Sequence, residues 1–136
     1  MINENVLTQA EKVILKLRSL YAAAGYSPYK MSKFEEYDFY VKNKDFLMSE
    51  DVITFNDTNG KLLALKPDVT LSIIKNCKNG SEDRIQRIYY NENVYRVSET
   101  TRAYREIMQT GLECFGEIGV LERVEVMRLA AMSLQS

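Results

Sequence analysis

Leu65-Lys66-Pro67-Asp68-Val69-Thr70, then Arg96, then Gln109-Thr110-Gly111-Leu112-Glu113 carry most of the chemical content of this chain. Asp68, Gln109 and Glu113 supply acceptors, Thr70 a hydroxyl and Arg96 a guanidinium. An ammonium group offers only donors and calls for a carboxylate, an amide carbonyl and a hydroxyl, here Asp68, Gln109 and Thr70. A carboxylate or phosphate calls for the planar fork of Arg96. Glu113 is suited to accept from a ring N–H. Together these groups match a free amino acid with a polar side chain. Taken singly, the same residues have plainer uses. Asp68 is well suited to cap a helix, and Glu113, Arg96 and Arg105 could pair across strands on a solvated face.

Side chains alternate along a strand, so Gln109, Gly111 and Glu113 share one face. Met108, Thr110, Leu112 and Cys114 share the other, which is expected to face helices. Gly111 weakens the strand and is expected to leave a hole between its two polar neighbours, the setting a small ligand needs.

The rest of the composition narrows the field. The chain has 136 residues, 46% of them hydrophobic, enough for one domain with one core. No histidine is present, which removes Ser-His-Asp and Cys-His catalysis and most zinc sites. No Walker-type or GxGxxG loop occurs, and neither cofactor nor metal is expected. A net charge of −1 gives no footprint for nucleic acid or an anionic membrane. No apolar run is long enough to span a bilayer and the first residues do not read as a signal peptide, so the expected location is cytoplasmic. Cys77 and Cys114 read as free thiols.

The elements that must position these residues follow from periodicity. Apolar residues at helical spacing predict a helix from Val6 to Ala24, stopped by Gly25. The aromatic stretch from Gly25 to Leu47 predicts a short strand near Tyr29, then a loop and a short helical turn. Val52 to Phe55 and Lys61 to Leu65 form the arms of a hairpin around Asp57-Thr58-Asn59-Gly60. Pro67 breaks the second arm, and Asp68 or Thr70 caps a helix running to about Lys78, closed by Asn79-Gly80-Ser81. Arg84 to Val97 and Tyr104 to Phe115 are long paired strands, with a bulge expected at Asn91-Glu92-Asn93. Gly119 opens a last helix with an apolar stripe of Val120, Val124, Met127, Leu129, Ala131 and Leu134. Hairpins outnumber crossovers, which favours an α+β fold, an antiparallel β-sheet with flanking helices on one side.

These segments also resemble a known family. Arg87-Ile88-Tyr89-Tyr90-Asn91-Glu92-Asn93-Val94-Tyr95-Arg96 resembles motif 2 of the class II aminoacyl-tRNA synthetases. Tyr104 to Glu113 is similar to its continuation in the histidyl branch. Asp51 to Thr70 resembles the hairpin and turn of the same branch, and Gly25 to Asp38 a weakened motif 1. That branch contains histidyl-tRNA synthetases and the regulatory subunits of ATP phosphoribosyltransferase. The synthetases typically read Pro-Glu-Gly-Thr at the turn and the regulatory subunits Pro-Asp-x-Thr, as Pro67-Asp68-Val69-Thr70 does. Ser98 stands where the synthetases carry the glutamate of Arg-x-Glu, with Glu99 one place late. The loop before Gln109 is shortened, which puts Arg102 out of register with a phosphate-binding arginine. Ser32 replaces the motif 1 proline.

The resemblance implies a class II synthetase-like core over 1–136 as one domain, without the C-terminal motif 3 part. It implies that Asp68, Thr70 and Gln109 hold a ligand's α-amino group, that Glu113 faces an imidazole, and that Arg96 serves the carboxylate side. It further implies a non-catalytic regulatory subunit acting with the catalytic subunit of ATP phosphoribosyltransferase. L-histidine would be the effector, and the chain a homodimer within a hetero-oligomer. The rival enzyme reading is a truncated histidyl-tRNA synthetase core that activates histidine with ATP and Mg²⁺. A third reading is an assembly module with a vestigial pocket.

Overall fold

The computed structural model describes residues 3–43, 52–77 and 84–136. In order these form a short 3-10 turn (Glu4–Val6), α1 (Gln9–Ala23), β1 (Ser27–Pro28), β2 (Phe34–Glu36), α2 (Tyr37–Lys42), β3 (Thr54–Asn56), β4 (Leu62–Leu65), α3 (Val69–Cys77), β5 (Gln86–Val97), β6 (Tyr104–Phe115) and α4 (Val120–Leu134). The mixed α and β composition, with antiparallel strands and flanking helices, is the expected class. Two three-stranded sheets carry it, in the orders β1-β5-β6 and β2-β4-β3. In the first, β1 runs parallel to β5, with Ser27 opposite Ile88 and Pro28 opposite Tyr89. Two residues leave too little pattern for that pairing to be foreseen. The described residues sort into two compact units, the first within Met1–Tyr29, Ser81–Asn91 and Thr110–Ser136, the second within Lys30–Gly80 and Glu92–Gln109.

In the first unit, Thr8 and Glu11 decide where α1 begins. The Thr8 hydroxyl accepts from the Glu11 N–H, and the Glu11 carboxylate accepts from the Thr8 N–H at 2.7 Å. This reciprocal capping box satisfies two donors that the helix end would otherwise leave open, so the helix starts at Gln9 and not at the apolar Val6. Gly25 takes the left-handed φ of 88° that stops it. Tyr21, Tyr26, Tyr89 and Leu129 form the core, with Leu17, Leu20, Leu112 and Cys114 packed against it. Leu112 and Cys114 thus turn toward the helices, as alternation along β6 requires. The Tyr21 and Tyr89 rings lie 6.0 Å apart, and the Tyr21 hydroxyl is 2.9 Å from that of Ser133. Arg87 of β5 ties α4 down by donating to Glu125 at 3.1 Å, with Glu122 at 3.7 Å.

Helix α4 departs from expectation in what it buries. Of its predicted stripe only Leu129 is buried; Val120, Val124, Met127, Ala131 and Leu134 are exposed. Helical spacing shows that a face is apolar, but not that something covers it.

In the second unit, β4 is the central strand, with Phe34 opposite Leu65 on one side and Phe55 opposite Leu63 on the other. Tyr40, Ala64 and Leu71 centre one cluster beneath α2 and α3, joined by Tyr37, Phe39 and Val52. Phe34 and Phe55 meet edge to face across the strands at 5.6 Å. The β3–β4 turn closes as predicted, with the Asp57 carboxylate accepting from the Asn59 and Lys61 N–H groups at 2.8 Å. Helix α3 ends at Cys77, and the expected stop at Asn79-Gly80-Ser81 lies outside the described residues. Strand β5 runs from Gln86 through Val97 without a break, including the Asn91-Glu92-Asn93 segment.

Candidate functional site

The predicted turn is built by a proline that cannot continue β4 and an aspartate that starts the next helix. Pro67 is buried, and Asp68 Oδ1 accepts from the Leu71 N–H at 3.0 Å. Asp68 is therefore the cap of α3, the plainer of its two uses, satisfying one of the donors a helix start leaves open. Thr70 lies in the first turn of α3 with its surface exposed.

Arg96, near the end of β5, joins this turn directly. Its Nε–H donates to the Pro67 carbonyl at 3.0 Å. One edge of the guanidinium is thus held, and the predicted arginine and the predicted turn, 29 residues apart, meet in space. Along β5 and β6, contacts define the faces. Glu106 accepts from Asn93 at 2.6 Å and from Tyr95 at 3.3 Å, which puts Asn93, Tyr95 and Glu106 on one face. Alternation then places Glu92, Arg96 and Gln109 of the second unit on the other face. Burial, and then the Glu106 carboxylate, raise the Tyr95 phenol above its ordinary value.

Gln109 and Glu113 are both partly buried in β6, in the second and first units respectively. Between them in sequence, Gly111 differs from expectation. A Cβ built there would come within 2.6 Å of the Tyr90 hydroxyl and 2.8 Å of its ring. The space that glycine leaves is filled by the Tyr90 ring. A sequence shows the missing side chain, not the neighbour that takes its place.

Sequence reasoning also missed Lys66 and Glu92. The Lys66 side chain is 0% exposed, with Nζ 3.1 Å from Glu92 Oε2. Its backbone N–H donates to the Lys33 carbonyl, and its own carbonyl accepts from the Tyr95 N–H, both at 2.9 Å. A lysine at a strand end ordinarily reads as a solvated residue, so nothing in the spacing marks it. Nearby in the same unit, the buried Tyr40 hydroxyl has no hydrogen-bond partner among the described residues. Its pKa is pushed up to about 12, chiefly by burial, with Ser72 opposing and the Glu35 and Asp68 charges adding.

No group of three or more potential metal ligands occurs among the described residues. Nor is any helix among them long and apolar enough to cross a membrane. An apolar groove of about 430 Å³ runs between α1 and α4, lined by Leu20, Leu121, Val124, Leu129 and Met132 among others. It contains none of the predicted site residues.

The arginine-to-turn contact in a strand–turn–helix setting matches the motifs read from the sequence, and comparison with known proteins decides the family. A family model described as histidyl-tRNA synthetase matches residues 2–136. The chain belongs to the histidyl-tRNA synthetase family. Within that family it is 31% identical over 133 residues to the ATP phosphoribosyltransferase regulatory subunit of Oceanobacillus iheyensis, covering 97% of this chain and 32% of that one. A Bacillus cereus protein of the same name is 30% identical, covering 94% and 31%. Among solved structures, a histidine–tRNA ligase subunit from Alicyclobacillus acidocaldarius superposes with a TM-score of 0.73 at 30% identity, covering 90% of this chain and 35% of that one. A protein from Bacillus halodurans described as an ATP phosphoribosyltransferase regulatory subunit/histidyl-tRNA synthetase gives 0.72 at 25% identity, covering 91% and 33%. The chain spans about a third of the length of the curated relatives it matches. The fold of this chain is thus that of part of a histidyl synthetase-like core.

Proposed function

We propose that this chain acts as the synthetase-like regulatory part of ATP phosphoribosyltransferase, without catalysis of its own, and that it carries an amino-acid site for L-histidine. The observation that carries the reading is the Arg96 guanidinium seated on the Pro67 carbonyl of the Pro67-Asp68-Val69-Thr70 turn. It couples the regulatory form of the turn to the motif 2 arginine. In this reading Asp68, Thr70 and Gln109 receive the α-amino group, Arg96 the carboxylate and Glu113 the imidazole. The relatives named as regulatory subunits support it. In this reading the partner is the catalytic subunit, and the chain is a homodimer inside a hetero-oligomer. The effector's action on a distant catalytic centre would be a coupling free energy between two sites.

The alternative is histidine activation with ATP, favoured by the 30% identical histidine–tRNA ligase subunit. Ser98 argues against it. Its N–H donates to the Ala103 carbonyl at 2.8 Å, and its Oγ accepts from the Thr101 N–H at 3.3 Å. A residue committed to closing a short hairpin loop does not replace a glutamate that holds adenine. Two assays separate the readings. Calorimetry with L-histidine is expected to show saturable binding without ATP, and its absence, with histidine sensitivity of the assembled transferase intact, would remove the sensor role. Histidine-dependent ATP–pyrophosphate exchange is expected to be nil, and measurable exchange would establish the enzyme reading instead.

A further inference from the structure

We propose that the buried Lys66–Glu92 ion pair is a positioning device for the amino-acid-binding turn, so that ligand affinity depends on a pair that need not touch the ligand. Four connections converge here. Lys66 immediately precedes Pro67 and Asp68, and its backbone is held on both sides, by Lys33 and by Tyr95. Its ammonium, fully out of water, reaches Glu92 Oε2 at 3.1 Å. Glu92 Oε1 in turn faces the Met31 N–H at 3.4 Å, linking the chain before β2 to β5. Arg96, four residues along β5 from Glu92, holds the Pro67 carbonyl.

The pair is a poor choice for stability alone. Removing two charges from water costs several kcal/mol per ion, and neutral or apolar replacements of such pairs are often as stable or more so. What a directional ion pair supplies beyond an apolar contact is geometry. Lys66 is joined through one residue to Asp68, and Glu92 shares a strand face with Arg96 and Gln109. The pair therefore fixes the turn relative to the strand that bears the other proposed ligand groups. A displacement of about 1 Å in such groups is enough to weaken recognition strongly.

The functional half of this proposal rests on the amino-acid reading above, so its test has two arms. The first follows amide hydrogen exchange at Leu71, whose N–H bonds Asp68, and at Tyr95, whose N–H bonds Lys66. The Leu65 N–H, bonded to the Ile53 carbonyl, serves as a reference within the same unit. The double variant Lys66→Met/Glu92→Gln removes both charges and keeps the side-chain lengths. Its Leu71 and Tyr95 amides are expected to exchange at least tenfold faster, with Leu65 and the melting temperature little changed. Lys66→Arg, which retains a cation, is expected to restore most of the protection. The second arm is calorimetry, where L-histidine is expected to bind the double variant at least tenfold more weakly. Wild-type exchange at Leu71 and Tyr95 in the double variant overturns the proposal. So does a uniform loss of protection that includes Leu65, since that marks a merely structural pair. Should the wild-type chain take up no histidine, the amino-acid reading fails, and the exchange arm still decides whether the pair positions the turn. If the double variant does not fold, Glu92→Asp, which shortens the carboxylate by one methylene, is judged by the same comparison of Leu71 with Leu65.

Discussion

Gly111→Ala tests the packing of Tyr90 over β6 and introduces no charged or hydrogen-bonding group. The glycine's φ lies outside the left-handed region, so alanine meets no backbone strain there. Two effects then oppose each other. Alanine is favoured over glycine in a strand by roughly 0.5–1 kcal/mol. Its Cβ, however, would lie 2.6 Å from Tyr90 Oη, 2.8 Å from Cζ and 3.3 Å from Cε2. Ordinary contact needs about 3.5 Å or more, so the ring must shift by about 1 Å, and overpacking of this kind costs about 1–3 kcal/mol. The clash wins, and Gly111→Ala is expected to destabilise the chain by about 0.5–2 kcal/mol. Removing the ring should reverse the sign. In a Tyr90→Ala background, Gly111→Ala is expected to stabilise by roughly 0.5–1 kcal/mol, leaving a coupling energy on the order of 1–3 kcal/mol. Urea unfolding of the four proteins measures that coupling, with unchanged m-values as the check that the denatured state is not responsible. Additivity within about 0.5 kcal/mol would refute the reasoning, because it would mean that the Tyr90 ring does not fill the space above Gly111.

Asp68 separates folding from recognition. Asp68→Ala should cost about 1 kcal/mol through the lost cap, whereas Asp68→Asn, an equally good cap, should leave the melting temperature unchanged and yet abolish histidine binding by calorimetry. A wild-type histidine affinity in Asp68→Asn would confine this residue to its helix. Tyr40 predicts an alkaline dependence. Its folded pKa is raised to about 12 from an ordinary 10, so the protonated phenol's contribution is complete below pH 10. As pH rises from 10 to 12 the unfolded state releases its proton first, and on the order of 2–3 kcal/mol of stability is lost. Tyr40→Phe should flatten that part of the stability profile and be neutral or stabilising at pH 7, because it removes a buried hydroxyl that makes no well-formed hydrogen bond among the described residues. A profile unchanged by Tyr40→Phe, measured by denaturant unfolding at pH 8 to 12, would contradict this account.

How much could be read in advance depended on whether the deciding interaction was local. The β3–β4 hairpin was legible because Asp57 and Gly60 build its turn from within. So was the start of α3, where proline and a capping aspartate stand side by side. The start of α1 was misplaced by three residues because apolar spacing drew attention to Val6, while the Thr8–Glu11 box sets the boundary. The parallel partner of β1 and the ring over Gly111 arise from residues more than 20 positions away, and no local pattern encodes them. The same holds for the site. Arg96 meets the turn, and the capping use of Asp68 was open to view in the sequence, but nothing there revealed that a lysine without any exposed surface stands behind it.

Along α4, water meets side chains that most domains withdraw from it. Val120, Leu121, Val124, Met127 and Leu134 are each more than half exposed. Burying a side chain of this size is worth about 1.5–3 kcal/mol, so shielding this row even in part would release roughly 5–10 kcal/mol. That quantity is of the same order as the net stability of an ordinary domain. Whatever withdraws this one row from water therefore gains a free energy comparable with what holds the interior together.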